Sequence, residues 1–174
     1  ISGGKNIAGM GENIIGNTAY FNSISNGAVY ALGYCVGYKG TPEKVEIKEG
    51  TKGTANRAFE DCTSLIEITI PDSITSIGKA AFRGCTSLTE ITILDSVTSI
   101  GGSAFSGCTS LVNAPALPVT RLFGSSCYES MFYGCTSLTT APKLSATTLA
   151  RGCYEYMFGG CTSLTKVTML ATDI

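Results

Sequence analysis

The sequence predicts an α/β solenoid: one coil repeated along an axis, with a parallel sheet on one limb and short helices or turns on the other. Three observations predict it. A Gly-Cys-Thr-Ser-Leu motif, or a one-letter variant, recurs five times, with its cysteine at Cys62, Cys85, Cys108, Cys135 and Cys161. The cysteines are spaced by 23, 23, 27 and 26 residues, a period that belongs to leucine-rich-repeat solenoids. Flanking apolar residues recur in the same register. Phe59, Phe82, Phe105, Phe132 and Phe158 stand three before the cysteine; Leu65, Leu88, Leu111, Leu138 and Leu164 stand three after it.

The register continues six after the cysteine with Ile68, Ile91, Ala114, Ala141 and Val167, and eight after it with Ile70 and Ile93. Steps of three belong to a tight, turn-rich or helical side, and the final step of two belongs to a strand. One coil alone cannot bury this stripe; stacked coils bury it as continuous ladders. Pro71-Asp72-Ser73 and Leu94-Asp95-Ser96 then turn the chain. It returns through Ile74 and Ile77, or Val97 and Ile100, toward Gly78 or Gly101.

An earlier coil runs from Ile47 to Ala58-Phe59. Thr51 and Thr54 replace Ile74 and Ile77 there, the polar character expected of a terminal repeat. The last two units are longer. Ala114-Pro115-Ala116-Leu117-Pro118 and Ala141-Pro142-Lys143-Leu144-Ser145 lead through Leu122 or Leu149 to Cys127 or Cys153. Those two cysteines lie eight before the shared one, the place of Ile77 and Ile100, and so read as small apolar core residues. The array thus spans 45–174, with 23-residue repeats followed by 26–27-residue repeats.

Residues 1–44 fall outside the repeat and read as an N-terminal cap. Ser25-Asn26-Gly27 marks a hairpin turn between Tyr20-Phe21 and Val29-Tyr30-Ala31-Leu32. Gly40-Thr41-Pro42 then turns into a strand at Val45-Glu46-Ile47. The chain opens at Ile1-Ser2-Gly3-Gly4 with no signal peptide in view, consistent with a processed secreted protein or an excised fragment. A cytosolic fragment stays open. At the other end Leu164, Val167, Met169 and Ile174 form a strand with no polar cap after it. Either more sequence follows or the last coil packs on a partner.

The 23-residue units resemble the BspA-like leucine-rich repeats of bacterial surface proteins. Ile70-Pro71-Asp72-Ser73-Ile74-Thr75-Ser76-Ile77-Gly78, Ala81-Phe82 and Cys85-Thr86-Ser87-Leu88 carry the likeness, and the longer units resemble a variant. The resemblance covers roughly positions 45 to 174. It implies a right-handed superhelix with the parallel sheet on its concave face, an extracellular or cell-surface location, and a role in adhesion or protein binding.

Composition excludes several functions. Lysine plus arginine number 12 against 13 acids, so there is no basic footprint for nucleic acid. No apolar run reaches the ~20 residues of a membrane helix. Histidine is absent, which removes Ser-His, Cys-His and His-metal chemistry. No acid pair or glycine loop suggests a catalytic site, no cofactor is expected, and the chain is read as a non-enzyme.

Each repeated polar feature has a plain structural reading. The ladder cysteines sit once per coil between Phe and Leu, with no Cys-x-x-Cys pairing for zinc. Disulfides are disfavoured if the coils splay to about 8–10 Å on the helical side, as packed helices do. The thiols are therefore read as buried and free; Cys35 is left open. The Thr and Ser after each cysteine are read as hydrogen-bonding the backbone at the bend. Asp72, Asp95 and Glu49 recur at one rim, but one acid per coil is thin for calcium.

The concave strand face is the binding candidate. Outward positions five after the cysteine are Glu67, Glu90, Asn113, Thr140 and Lys166; seven after it are Thr69, Thr92, Pro115, Pro142 and Thr168. Of these, Glu67, Thr69, Glu90, Thr92, Asn113, Thr140, Lys166 and Thr168 form the candidate site, beside the alternative of an ordinary solvated sheet. The expected function is non-catalytic binding to a protein ligand, of host or extracellular-matrix type, with self-association through the last coil a further option. The alternative is a structural spacer or assembly module within a larger surface or virion appendage.

Overall fold

The computed structural model describes residue 23 and residues 26–117, 128–144 and 151–168. Among the described residues there are seven short strands: β1 Gly27–Ala31, β2 Tyr34–Lys39, β3 Lys44–Glu46, β4 Gly53–Thr54, β5 Glu67–Thr69, β6 Ser76–Ile77 and β7 Ser99–Ile100. They form two sheets. One has the order β1-β2-β4-β6-β7; the other pairs β3 with β5. All pairings from coil to coil are parallel. The fold is a leucine-rich-repeat solenoid.

The core is the set of ladders the repeat predicts. Leu65, Leu88, Leu111 and Leu138 are fully buried, as are Phe59, Phe82, Phe105 and Phe132. The phenyl rings stack face to face, 5.3 Å apart from Phe59 to Phe82 and 5.9 Å from Phe132 to Phe158. Tyr38 of β2 covers the first ring at 6.0 Å. Burying a phenyl ring is worth about 1.5–3 kcal/mol in transfer free energy alone, so this column is the spine of the array.

The limb carrying the Phe-x-x-Cys segment is built of successive turns among the described residues, with no helix. Residues in the left-handed region interrupt it: Ala80 (φ 53°), Gly84 (φ 72°), Ser103 (φ 57°) and Gly107 (φ 73°). Its amides therefore face the neighbouring coil. Ala80, Phe82 and Gly84 donate to the carbonyls of Gly102, Ala104 and Ser106 at 2.8–3.0 Å. Ser103, Phe105 and Gly107 do the same to Glu129, Met131 and Tyr133. The expected splay to helix-packing distance is thus absent. Hydrogen-bonded turns hold the coils at near-sheet spacing on this limb too.

The return limb differs from expectation as well. It carries the larger sheet, with Ser76 opposite Ser99 and Ile77 opposite Ile100. The hairpin of β1 and β2 joins that sheet, Cys35 pairing with Thr54. The hairpin turns at Leu32-Gly33, where both residues have positive φ (53° and 82°), as a type I′ turn requires. Asn26-Gly27, in the expected turn, leads into β1, where Gly27 pairs with Lys39. The expected partner Tyr20-Phe21 lies outside the described residues, as do Leu122, Cys127, Leu149 and the segment from Met169 to Ile174.

The polar substitutions of the first coil lie in its interior. Thr51 and Thr54 are each only 4 % exposed. Thr51 Oγ1 donates to the Lys48 carbonyl, and Thr54 Oγ1 accepts from the Gly78 amide at 3.2 Å. Both hydroxyls are satisfied, so their burial carries no unpaired polar penalty.

Candidate binding face

The binding candidates stand on the limb that follows each Leu. β3 and β5 pair in register, Lys44 with Glu67, Val45 with Ile68 and Glu46 with Thr69. Val45 and Ile68 point inward and are buried; Glu67 and Thr69 point to solvent. Lys44 Nζ reaches Glu67 Oε2 at 2.7 Å, and the hydrogen bond raises the lysine's affinity for its proton. In the next coil Ile91 and Ile93 are buried and Glu90 and Thr92 exposed, the same alternation. Asn113 and Thr140 form a parallel bridge with both side chains exposed. Lys166 and Thr168 are exposed in the last coil.

Two outward assignments fail. Pro115 and Pro142 are buried, whereas Ala116 and Lys143 are exposed. In the short units the buried pair stands six and eight after the cysteine. In the long units it stands seven and nine after, at Pro115 and Leu117 and at Pro142 and Leu144. Proline lacks the amide that would continue a ladder, so the chain slips by one residue there and turns its ring inward.

Two residues of this surface are absent from the candidate set. Ile66 is 41 % exposed and Val112 42 %, each beside a candidate, Glu67 and Asn113. They occupy the position four after the cysteine, where the other copies have Thr89, Thr139 and Thr165. Backbone bonds align this row: Thr89 donates to Ile66, Val112 to Thr89 and Thr139 to Val112. An aliphatic residue interrupting a threonine column was the signal available in the sequence.

The cysteines lie on the other side of the core. Cys35, Cys62, Cys85, Cys108, Cys135 and Cys161 are free thiols. The S–H groups of Cys85, Cys108, Cys135 and Cys161 donate to the carbonyls of Phe59, Phe82, Phe105 and Phe132 at 3.0–3.2 Å. Each thiol thus ties its coil to the previous one. Cys153 is half-buried against the core. The hydroxyl column beside the thiols works similarly: Thr86, Thr109, Thr136 and Thr162 donate to the preceding Thr carbonyl at 3.3–3.5 Å. Among the described residues no group of three or more Cys, Asp or Glu is arranged to hold a metal.

Two predictions arise here. Cys108→Ser should destabilise the fold by about 1–3 kcal/mol, because a more polar hydroxyl would sit in an apolar site; urea unfolding measures it. Burial also disfavours the thiolates. Cys35, Cys85 and Cys135 are pushed from 9.0 up to about 12, and Cys108 stands well above its ordinary value. The folded chain therefore holds more protons than the unfolded chain above pH ~9, so stability should fall as pH rises from there toward 12. A Tm that falls more steeply over this window than that of a Cys85→Ala, Cys135→Ala variant is the expected result.

The match with known proteins follows this geometry. The family model for the BspA type leucine-rich repeat region fits residues 52–173 in six copies, and the chain belongs to that family. It is similar to a leucine-rich-repeat protein of T. pallidum, with 27% identity and a TM-score of 0.58 over 75% of this chain and 60% of that one. A leucine-rich cell surface protein from Faecalibacterium prausnitzii matches at 28% identity and a TM-score of 0.61, over 76% of this chain and 36% of that one. A leucine-rich-repeat protein from Eubacterium ventriosum matches at 29% and 0.60, over 75% and 33%. This chain therefore spans less than two thirds of each of these relatives. No curated protein matches it.

Proposed function

We propose that the chain is a non-catalytic protein-binding module of a bacterial surface or secreted protein. Residues 45–174 form the recognition array, and residues 1–44 act as its N-terminal cap. The observation that carries the reading is the outward row of Glu67, Glu90, Asn113, Thr140 and Lys166, flanked by half-exposed Ile66 and Val112, on a limb fixed by coil-to-coil bonds. Protein interfaces combine apolar anchors with a polar rim, and rigid presentation lowers the entropy cost of docking. With Lys44 beside Glu67, the row is acidic at Glu67 and Glu90 and basic at both ends, a pattern that would select a ligand of complementary charge. The cell-surface description of the F. prausnitzii relative supports an extracellular setting. Among the described residues no helix is long and apolar enough to cross a membrane.

The test is solid-phase binding to purified matrix proteins such as collagens and laminins, comparing the native chain with a Glu67→Lys, Glu90→Lys variant. Both positions are exposed, so the fold should be retained. Binding weakened about tenfold or more is expected, since like charges opposed across an interface cost kilocalories. Unchanged affinity in a folded variant would remove the strand face from the account.

A spacer role is supported by one observation. The amides of Tyr156, Phe158 and Gly160 occupy the ladder places of Ser130, Phe132 and Gly134 but have no partner among the described residues. That surface is where self-association, or a further coil, would attach. Concentration-dependent light scattering distinguishes this reading from a self-standing monomer.

A further inference from the structure

A recessed surface lies on the return limb, on the sheet that the strand face does not use. A groove of about 320 Å³ is lined by Tyr34, Thr54, Asn56 and Lys79 together with the strand ends at Ile77-Gly78 and Ile100-Gly101. Ser76 and Ser99 stand along it in register on β6 and β7. The side chains of Tyr34, Ser76 and Ser99 have no hydrogen-bond partner among the described residues. Asn56 is held in place, its Oδ1 accepting from the Lys79 amide at 2.8 Å. Gly53 makes the convergence of ring and hydroxyl possible. A Cβ there would lie 3.0 Å from Tyr34 Cε1 and would collide with Ser76 Oγ. Lys79 is exposed and, among the described residues, is the only charged one lining the groove.

We propose that this groove is a saccharide subsite with preference for a sugar bearing a carboxylate, of the uronic acid class. The aromatic wall offers a flat apolar face for the C–H face of a pyranose, and the Tyr hydroxyl gives it a polar end. The two serine hydroxyls donate and accept, as sugar hydroxyls do. Lys79 supplies a cation to the carboxylate, and no acid in the groove opposes it. A mostly preformed concavity with a few convergent polar groups is the usual form of a small-ligand site. A free phosphate would satisfy Lys79 and the serine hydroxyls but would leave the aromatic face unused.

The test is NMR titration of the chain with methyl β-glucuronide and with methyl β-glucoside. Weak binding of the glucuronide, with Kd of about 1 mM, is expected. The shifts should centre on the Ser76 and Ser99 amides. Tyr34→Ala should weaken binding about tenfold, the size of one lost aromatic contact, while Tyr34→Phe should retain most of it. Lys79→Gln, an exposed change that spares the fold, should erase the preference for glucuronide over glucoside. Glu67→Lys with Glu90→Lys should leave it intact, which separates this site from the strand face. No shift with either sugar, equal affinity for both, or unchanged affinity in Tyr34→Ala would each overturn the proposal.

Discussion

Phe105→Ala is expected to lower the unfolding free energy by about 3–5 kcal/mol, the range for deleting a buried aromatic ring. Phe105 is fully buried and stacks on Phe82 at 5.6 Å and on Phe132 at 5.7 Å. Its removal opens a gap between two rings that backbone bonds hold apart. The amides of Phe82 and Phe105 already bond to the next coil, so the coils cannot collapse into the space. The same change at Phe158 should cost far less, because that ring is half-buried in the last described coil. Urea unfolding of the two variants measures the difference. Equal losses would mean that the aromatic column is not the spine.

Gly78→Ala is expected to cost about 1–3 kcal/mol or more, by overpacking. An added Cβ would enter the van der Waals space of Ala55 C and O and Asn56 N, all backbone atoms that cannot rotate away. Gly101 repeats the constraint one coil later, against the Lys79 backbone. Gly107 offers the contrast. Its added Cβ would meet nothing closer than 3.6 Å, but its φ of 73° is left-handed. Gly107→Ala should therefore cost about 1 kcal/mol from the backbone alone, and Gly107→Asn less. Asp61 already occupies the matching place in the first copy, at φ 57°. Thermal unfolding of the three variants should rank Gly78→Ala as the worst. A Gly78→Ala protein as stable as the native one would contradict the close approach of coils on the return limb.

The ladders of Phe, Cys, Leu and Ile were legible because five copies repeat them, and repetition converts weak single-position signals into a register. The outward set Glu67, Thr69, Glu90, Thr92 was legible for the same reason, since strict alternation surrounds it. Pro115 and Pro142 misled because the long units change register where the alternation template was carried over from the short ones. The return-limb sheet was hidden because its strands within the coils, β4, β6 and β7, are two residues long, too short for any periodicity. The turn at Leu32-Gly33 was hidden because leucine rarely adopts positive φ, while Asn26-Gly27 is a stronger turn signal. The groove brings Tyr34 beside Ser76 and Ser99, which lie 42 and 65 positions further along the chain, and no local pattern brings them together. Ile66 and Val112 were visible as departures from a threonine column.

Both limbs are tied coil to coil, so the array should unfold and exchange as one unit. Amide hydrogen exchange is the deciding measurement. The amides of Phe82, Phe105 and Phe132 should exchange only with global unfolding, at one shared protection level, while those of Tyr156, Phe158 and Gly160 should exchange quickly. Rapid exchange at Phe82 and Phe105, with protection confined to the strand sheets, would contradict the claim.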